Sequence, residues 1–390
     1  MDFTPMREFM DRLTAWRIPG NSIRVCHLGK EVFRYQSGYA NLEKGIPMGE
    51  DGLFNIWSCS KVMTAVAALS LYEKGYFLLD DPLYDIIPAY RHMCVREADG
   101  SLREAKTPIT LRHLFTMTAG LTYAMNTPAF DKARALTEGK MNTLTVAECL
   151  AEDPLAFEPG ERWQYSLSHD VLAAVVEVVS GMRFRDYVKK TVLDPLDMHE
   201  TYYHTEHVLD RVLPMYRFEN GDTRDLVAQQ ASMSRAGGHI VPAGKRVNMV
   251  LGTEYDSGGA GITTSVADYS KFVSALSMGG LGATGERILS AGTVMLMRQN
   301  QLSPTQARSM NWRQLRGYGY GLGVRTLVDI AAGGSTGPVG EFGWGGAAGA
   351  TVLVDTENGL SVFYAHHMLN PQEEYYQPRL RNLLYTCFTR

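Results

Sequence analysis

Hydrophobic positions recur at helical spacing at the start of the chain. Phe3, Met6, Phe9, Met10 and Leu13 fall on one stripe and predict an amphipathic helix over residues 3–17. Two β-prone stretches follow at 22–28 and 31–37, and Gly29-Lys30 between them reads as a hairpin turn. The next apolar run is of a different kind. Val62, Met63, Ala65, Val66, Ala67, Ala68, Leu69 and Leu71 leave almost no polar face, the pattern of a helix buried at the centre of a large domain. From about 75 to 300 the segments are mainly helical, punctuated by Pro82, Pro88, Pro108, Pro159-Gly160, Pro195 and Gly279-Gly280. Strand character returns over 318–326, 349–355 and 360–364, with Asn358-Gly359 as a hairpin signal, and a helix is predicted over 377–388. Strands at both ends with helices between them predict an α/β domain built from the two termini and a long helical insert packed beside it.

Composition narrows the function classes. A chain of 390 residues with 45% hydrophobic and 21% charged residues is of ordinary globular type and large enough for two subdomains. The net charge of −4, without a long run of one sign, gives no reason to expect nucleic acid or an anionic membrane surface as partner. The segment 1–8 lacks the apolar stretch of a secretory signal, and no uncharged run approaches the length of a membrane span. Cys26, Cys59, Cys94, Cys149 and Cys387 are scattered and form no CxxC pair, so a reducing cytoplasm is the expected compartment. His199, His204 and His207 lack metalloprotease spacing, and His366-His367 ends an apolar strand; neither a metal nor another cofactor is expected.

Chemistry enters at Ser58-Cys59-Ser60-Lys61, where the buried run begins. Positions i and i+3 share a helix face, so the Lys61 ammonium reaches the Ser58 hydroxyl. A lysine pointing into such an apolar setting is costly unless it is paired or works. The same residues also fit a capping serine and a snorkelling lysine on an ordinary helix. Cys59 points about 100° away from Ser58 on a helix and reads as a core filler.

Three further stretches bear on that choice: 157–166 (Phe-Glu-Pro-Gly-Glu-Arg-Trp-Gln-Tyr-Ser), 341–349 (Glu-Phe-Gly-Trp-Gly-Gly-Ala-Ala-Gly) and 111–121 (Leu-Arg-His-Leu-Phe-Thr-Met-Thr-Ala-Gly-Leu). With the Ser58 tetrapeptide, and with Gly258-Gly259-Ala260-Gly261-Ile262 and Tyr318-Gly319-Tyr320-Gly321-Leu322-Gly323 in support, their order resembles the serine β-lactamase-related superfamily. That group includes class C β-lactamases, D-alanyl-D-alanine carboxypeptidases and family VIII carboxylesterases. The resemblance spans about 20–366. It implies a β-lactamase/transpeptidase-like fold: an antiparallel sheet from the N- and C-terminal segments flanked by helices, plus the helical insert. The implied domains are 1–75 with 300–390, and 76–299, with the active site between them.

The resemblance also implies roles. Ser58 attacks a carbonyl and forms an acyl-enzyme, with Lys61 and Tyr165 as the pair that manages its proton; which is the formal base stays open. On residue type alone, Tyr165 would equally be a buried aromatic with a satisfied hydroxyl. The N–H groups of Ser58 and Ala347 form the implied oxyanion hole. Trp344, Gly345 and Gly346 occupy the third motif, where glycines allow close approach of substrate. Arg112-His113 is expected to order a helix start, and Tyr123 and Asp170 to line the cleft. Two departures bear on activity. Trp344 offers no cation for a substrate carboxylate, and Leu167 stands where the second motif normally has Asn. Both leave an apolar wall and point to small uncharged esters. β-Lactamase or peptidase activity on an amide or lactam is the alternative, and a catalytically silent ligand-binding relative the third possibility.

Overall fold

The apolar runs near both ends come together in one antiparallel sheet. The computed structural model describes residues 1–15, 18–219, 239–244, 251–369 and 372–389. Helix α1 (Thr4–Ala15) buries Met6, Phe9, Met10 and Leu13, as the stripe predicts; 16 and 17 lie outside the described residues. The sheet strands are β1 (Gly20–His27), β2 (Lys30–Asn41), β3 (Ile46–Pro47), β4 (Tyr318–Tyr320), β5 (Arg325–Leu327), β6 (Phe342–Gly343), β7 (Gly345–Gly346), β8 (Ala350–Asp355) and β9 (Leu360–His366). Their order is β4-β5-β6-β8-β9-β1-β2-β3, with β7 on β8. N- and C-terminal segments meet where Val25 pairs with Val362.

Strands β8 and β9 are buried at every position because both faces are covered. Leu353, Val362 and Tyr364 pack with α1 and the C-terminal helix α5 (Glu373–Thr389), whereas Val352, Val354, Phe363 and Ala365 join the main core on the other face. A strand buried on both sides reads as a continuous apolar run. The main core takes in α2 (Ser60–Glu73), α3 (Ser168–Ser180) and α4 (Val266–Ser277). Every residue of α2 from Ser60 to Leu71 is buried.

Three local expectations needed correction. The β1–β2 turn is Leu28-Gly29, one residue earlier than Gly29-Lys30, because Lys30 pairs with His27. Leu28 and Gly29 both take positive φ, 49° and 75°, as a two-residue turn between twisted strands requires. The stretch 318–326 is two strands rather than one, broken where Gly321 N–H bonds the Val324 carbonyl and Gly323 takes φ 83°. The C-terminal helix starts at Glu373, not at 377. The insert also carries short antiparallel strand pairs, Cys94–Arg96 with Leu102–Glu104 and Met215–Glu219 with His239–Gly244. Within 215–257, residues 220–238 and 245–250 lie outside the described residues.

Candidate active site

Ser58 sits in a 3-10 turn, Trp57–Cys59, that leads into α2. Trp57 holds φ 45°, a conformation few non-glycine residues adopt, and so sets the angle at which Ser58 leaves the preceding strand. This start is clamped from two sides, by Gly346 and by Ile262. A Cβ on Gly346 would lie 2.1 Å from the Ile56 carbonyl oxygen, so only glycine lets β7 run against the turn. From the other side Ile262 N–H donates to Ser60 Oγ, and Ile56 N–H donates to the Ile262 carbonyl. Cys59 is fully buried; its thiol lies 3.7 Å from the Trp344 carbonyl, and burial holds it protonated.

Lys61 and Tyr165 converge on Ser58. Lys61 Nζ donates to Ser58 Oγ at 3.3 Å and to the Gly259 carbonyl at 2.7 Å. The Tyr165 hydroxyl donates to Ser58 Oγ at 2.5 Å. The ammonium also faces the rings of Tyr165 and Tyr123, 4.6 and 5.4 Å from their centroids. Lys61 is fully buried, and desolvation lowers its pKa to about 7 although the Asp170 carboxylate opposes that shift. Burial pushes the Tyr165 phenol up by more than its hydrogen bonds to Ser58 and Trp344 bring it down. The ammonium therefore gives up its proton before the phenol does, and a neutral Lys61 amine has a lone pair for the Ser58 proton.

Asp170 lies behind Lys61. It is 3% exposed, and its Oδ1 accepts from Tyr255 OH, Ser257 Oγ and Gly259 N–H at 2.8, 2.7 and 3.3 Å. Its Oδ2 is buried with no hydrogen-bond partner among the described residues. A Cβ on Gly259 would come 2.5 Å from that Oδ2 and 3.2 Å from Lys61 Nζ. Gly259 therefore admits carboxylate and ammonium to one small space. Sequence reasoning noted the Gly258–Ile262 run without giving it a task; the double glycine was the available signal.

Aromatic rings build the wall. Tyr165 is stacked between Tyr123 (centroids 5.3 Å, planes 3° apart) and Trp344 (5.8 Å, 20°). Trp163, Trp312 and Tyr320 complete the cluster, and sequence reasoning assigned none of them to the site. The segment bearing Tyr165 is fixed at both sides, with Gln164 N–H on the Met117 carbonyl and Leu167 N–H on the Thr122 carbonyl. Leu167 itself is buried in the main core. Gly345 is partly exposed, Gly346 buried and Ala347 exposed, in a turn closed by Gly349 N–H on the Gly346 carbonyl. His113 caps the helix Leu111–Phe115, exchanging hydrogen bonds with Thr110, and burial lowers its pKa to about 4. Arg112 bonds Asp80 and Gln301. His204 bonds Asp256 and His199 bonds Asp197. Among the described residues no group of His, Cys, Asp and Glu is placed to hold a metal ion, and no helix is long and apolar enough to cross a membrane.

Comparison with known proteins bears on this geometry. The family model described as Beta-lactamase matches residues 6–386. The chain is 31% identical to "Esterase EstB" of Burkholderia gladioli over 91% of its own length and 87% of the relative. It is 26% identical to "Acyltransferase calJ" of Penicillium decumbens over 88% of its length and 82% of the relative. The solved structure of EstCE1, "a hydrolase with promiscuous acyltransferase activity", is similar with a TM-score of 0.77, at 25% identity and 98% coverage of both chains.

Proposed function

The chain belongs to the beta-lactamase family, and from that premise we propose that it is a serine esterase forming an acyl-enzyme at Ser58. One observation carries the reading: Ser58 Oγ lies within hydrogen-bond reach of both Lys61 Nζ and Tyr165 OH, at the start of a buried helix. In acylation, neutral Lys61 takes the Ser58 proton while Ser58 Oγ bonds to the ester carbonyl carbon. The carbonyl oxygen turns toward the N–H groups of Ser58 and Ala347, the first aided by the helix start. Tyr165 gives its phenol proton to the departing alcohol oxygen as the carbonyl–alkoxy bond breaks, and Lys61 hands the proton it took from Ser58 to the Tyr165 oxygen. Water then takes the place of the alcohol: its oxygen bonds to the acyl carbon as it loses a proton to the same pair, the bond from that carbon to Ser58 Oγ breaks, and the proton returns to Ser58 as the acid leaves. Asp170 raises the pKa of Lys61 and sits behind it, while Tyr123 and Trp344 flank the Tyr165 ring.

Trp344 supplies no cation where lactam- and peptide-directed relatives use one, and Leu167, turned into the main core rather than forming the expected apolar wall, supplies no amide. The pocket therefore suits a small uncharged ester. The five cysteines are free, which supports a reducing, cytoplasmic setting. A second reading, transfer of the acyl group to an alcohol instead of water, is favoured by the similarity to calJ and EstCE1.

The test is intact mass after fluorophosphonate treatment beside Ser58→Ala, followed by p-nitrophenyl butyrate and nitrocefin turnover. One adduct lost in the variant, with ester turnover far above nitrocefin, is the expected result. Nitrocefin turnover matching ester turnover would select the lactamase alternative, and no adduct would leave a silent relative.

A further inference from the structure

Trp312 is a tryptophan in a loop, away from every motif, yet it is built into the aromatic cluster. Its ring centroid lies 5.2 Å from Tyr165, 5.4 Å from Trp163 and 6.1 Å from Trp344. Trp163 and Trp344 are 3% exposed, whereas Trp312 is 36% exposed. An indole held against a buried aromatic floor, with a third of its surface open, is a surface on which a planar apolar group stacks.

The loop is clamped from two directions. Toward the C-terminal helix, Gln314 Nε2 donates to Glu373, Arg381 Nη2 donates to the Gln314 carbonyl, and Arg313 pairs with Glu374. Toward the Tyr165 segment, Trp163 N–H donates to Ser309 Oγ and Gln306 Nε2 donates to the Gly160 carbonyl. Trp312 is thus fixed relative to Tyr165.

Chemistry decides which half of the substrate meets it. Tyr165 OH delivers the proton to the departing oxygen, so that oxygen must come within hydrogen-bond reach of Tyr165. With the faces of the Tyr165 ring stacked on Tyr123 and Trp344, the carbon body of the alcohol then extends past the ring toward Trp312, the neighbour of Tyr165 that keeps a third of its surface exposed. We infer that Trp312 forms a leaving-group subsite that binds the alcohol half of an ester when that half is aromatic, and that receives an aromatic alcohol as acyl acceptor. The inference rests on the esterase reading given above. In the transfer, the acceptor oxygen bonds to the acyl carbon, the bond from that carbon to Ser58 Oγ breaks, and the acceptor's proton returns to Ser58 through the Tyr165–Lys61 pair.

Acetate esters share one acyl-enzyme, so changing only the alcohol isolates the subsite. Trp312→Ala and Trp312→Phe are compared with wild type in kcat/KM for 2-naphthyl, phenyl and ethyl acetate. Partition of the acyl group between benzyl alcohol and water is measured alongside on the unlabelled proteins, and fluorophosphonate labelling of a separate aliquot of each reads the reactivity of Ser58. The expected result is a preference for naphthyl over ethyl acetate reduced about tenfold in Trp312→Ala, the scale of one lost aromatic pair. Benzyl transfer falls in parallel, and Trp312→Phe retains much of both. A normal Ser58 adduct with equal losses for all three alcohols would overturn the subsite alone. So would a preference that tracks the acyl chain, in a parallel series of butyrates, rather than the alcohol. Absence of the adduct in wild type would overturn the esterase reading and the subsite with it.

Discussion

Lys61 and Arg325 are both deeply buried cations, and they have opposite fates. Arg325 and Glu341 are each 1% exposed and close on one another: Arg325 Nη1 donates to Glu341 Oε1 at 2.7 Å, Nη2 donates to the Val352 carbonyl, and Tyr318 OH donates to Glu341 Oε2. Burial alone would lower the Arg325 pKa, but the paired carboxylate more than offsets it. Lys61 is as deeply buried, yet its hydrogen-bond acceptors are a carbonyl and a hydroxyl. Its carboxylate neighbour, Asp170, spends Oδ1 on Tyr255, Ser257 and Gly259. Desolvation therefore wins at Lys61 and brings its pKa to about 7. A buried charge with a closed partner is a fixed structural element, whereas one with an incomplete partner becomes a proton carrier at neutral pH.

The contrast breaks most sharply at Lys61 itself. Lys61→Met is expected to lower ester kcat/KM at least about a thousandfold, since proton transfer from the nucleophile is lost. It should at the same time raise the melting temperature by a few degrees, because a desolvated amine is replaced by an apolar side chain. Calorimetry beside p-nitrophenyl butyrate kinetics reads both; a variant that melts lower than wild type would remove Lys61 from the class of destabilising functional groups. At the closed pair the signs reverse. Arg325→Met leaves Glu341 buried without its cation and should cost about 3–5 kcal/mol in denaturant unfolding, with any loss of activity following the loss of folded protein.

The pH dependence sharpens the comparison. In the proposed reaction Lys61 acts as the neutral amine, so kcat/KM should rise through pH about 7 as its proton leaves. Asp170 raises that pKa, so Asp170→Asn should move the rising limb to lower pH by on the order of one unit. A limb displaced upward, or unmoved, would contradict it. Stability gives a smaller, independent signal. The folded pKa of Lys61 lies below its ordinary 10.5, so the unfolded chain binds more protons between about 7 and 10.5. This group's destabilising contribution therefore fades as pH rises through that window, and the stability difference between wild type and Lys61→Met should narrow; a gap that stays constant with pH would count against the shift.

Much of this was readable in advance, and the unreadable part has a common cause. Ser58 and Lys61 are tied by helical spacing, and the sheet announced itself through apolar runs at both termini. Tyr165 and the Gly345-Gly346 pair were legible through motif order. The turn at Leu28-Gly29 was misplaced because strand pairing, not the glycine alone, fixes the register. The web of Asp170 with Tyr255, Ser257 and Gly259 joins positions more than eighty residues apart, and no local period encodes it. Trp312 was silent for the same reason: its loop has no periodicity, and only the partners supplied by Trp163, Tyr165 and Trp344 give it meaning.

The fit of Gly346 against the Ile56 carbonyl has a consequence for anyone wishing to redesign this pocket. The turn that carries Ser58 and strand β7 share a clearance that leaves no room for even a methyl group, and Gly259 does the same between Lys61 and Asp170. A library aimed at new substrates thus has a fixed frame and a free margin: diversity placed at 259 or 346 fills the library with inactive members, whereas the exposed ring at 312 is a position where sequence can vary while the machinery beneath stays in register.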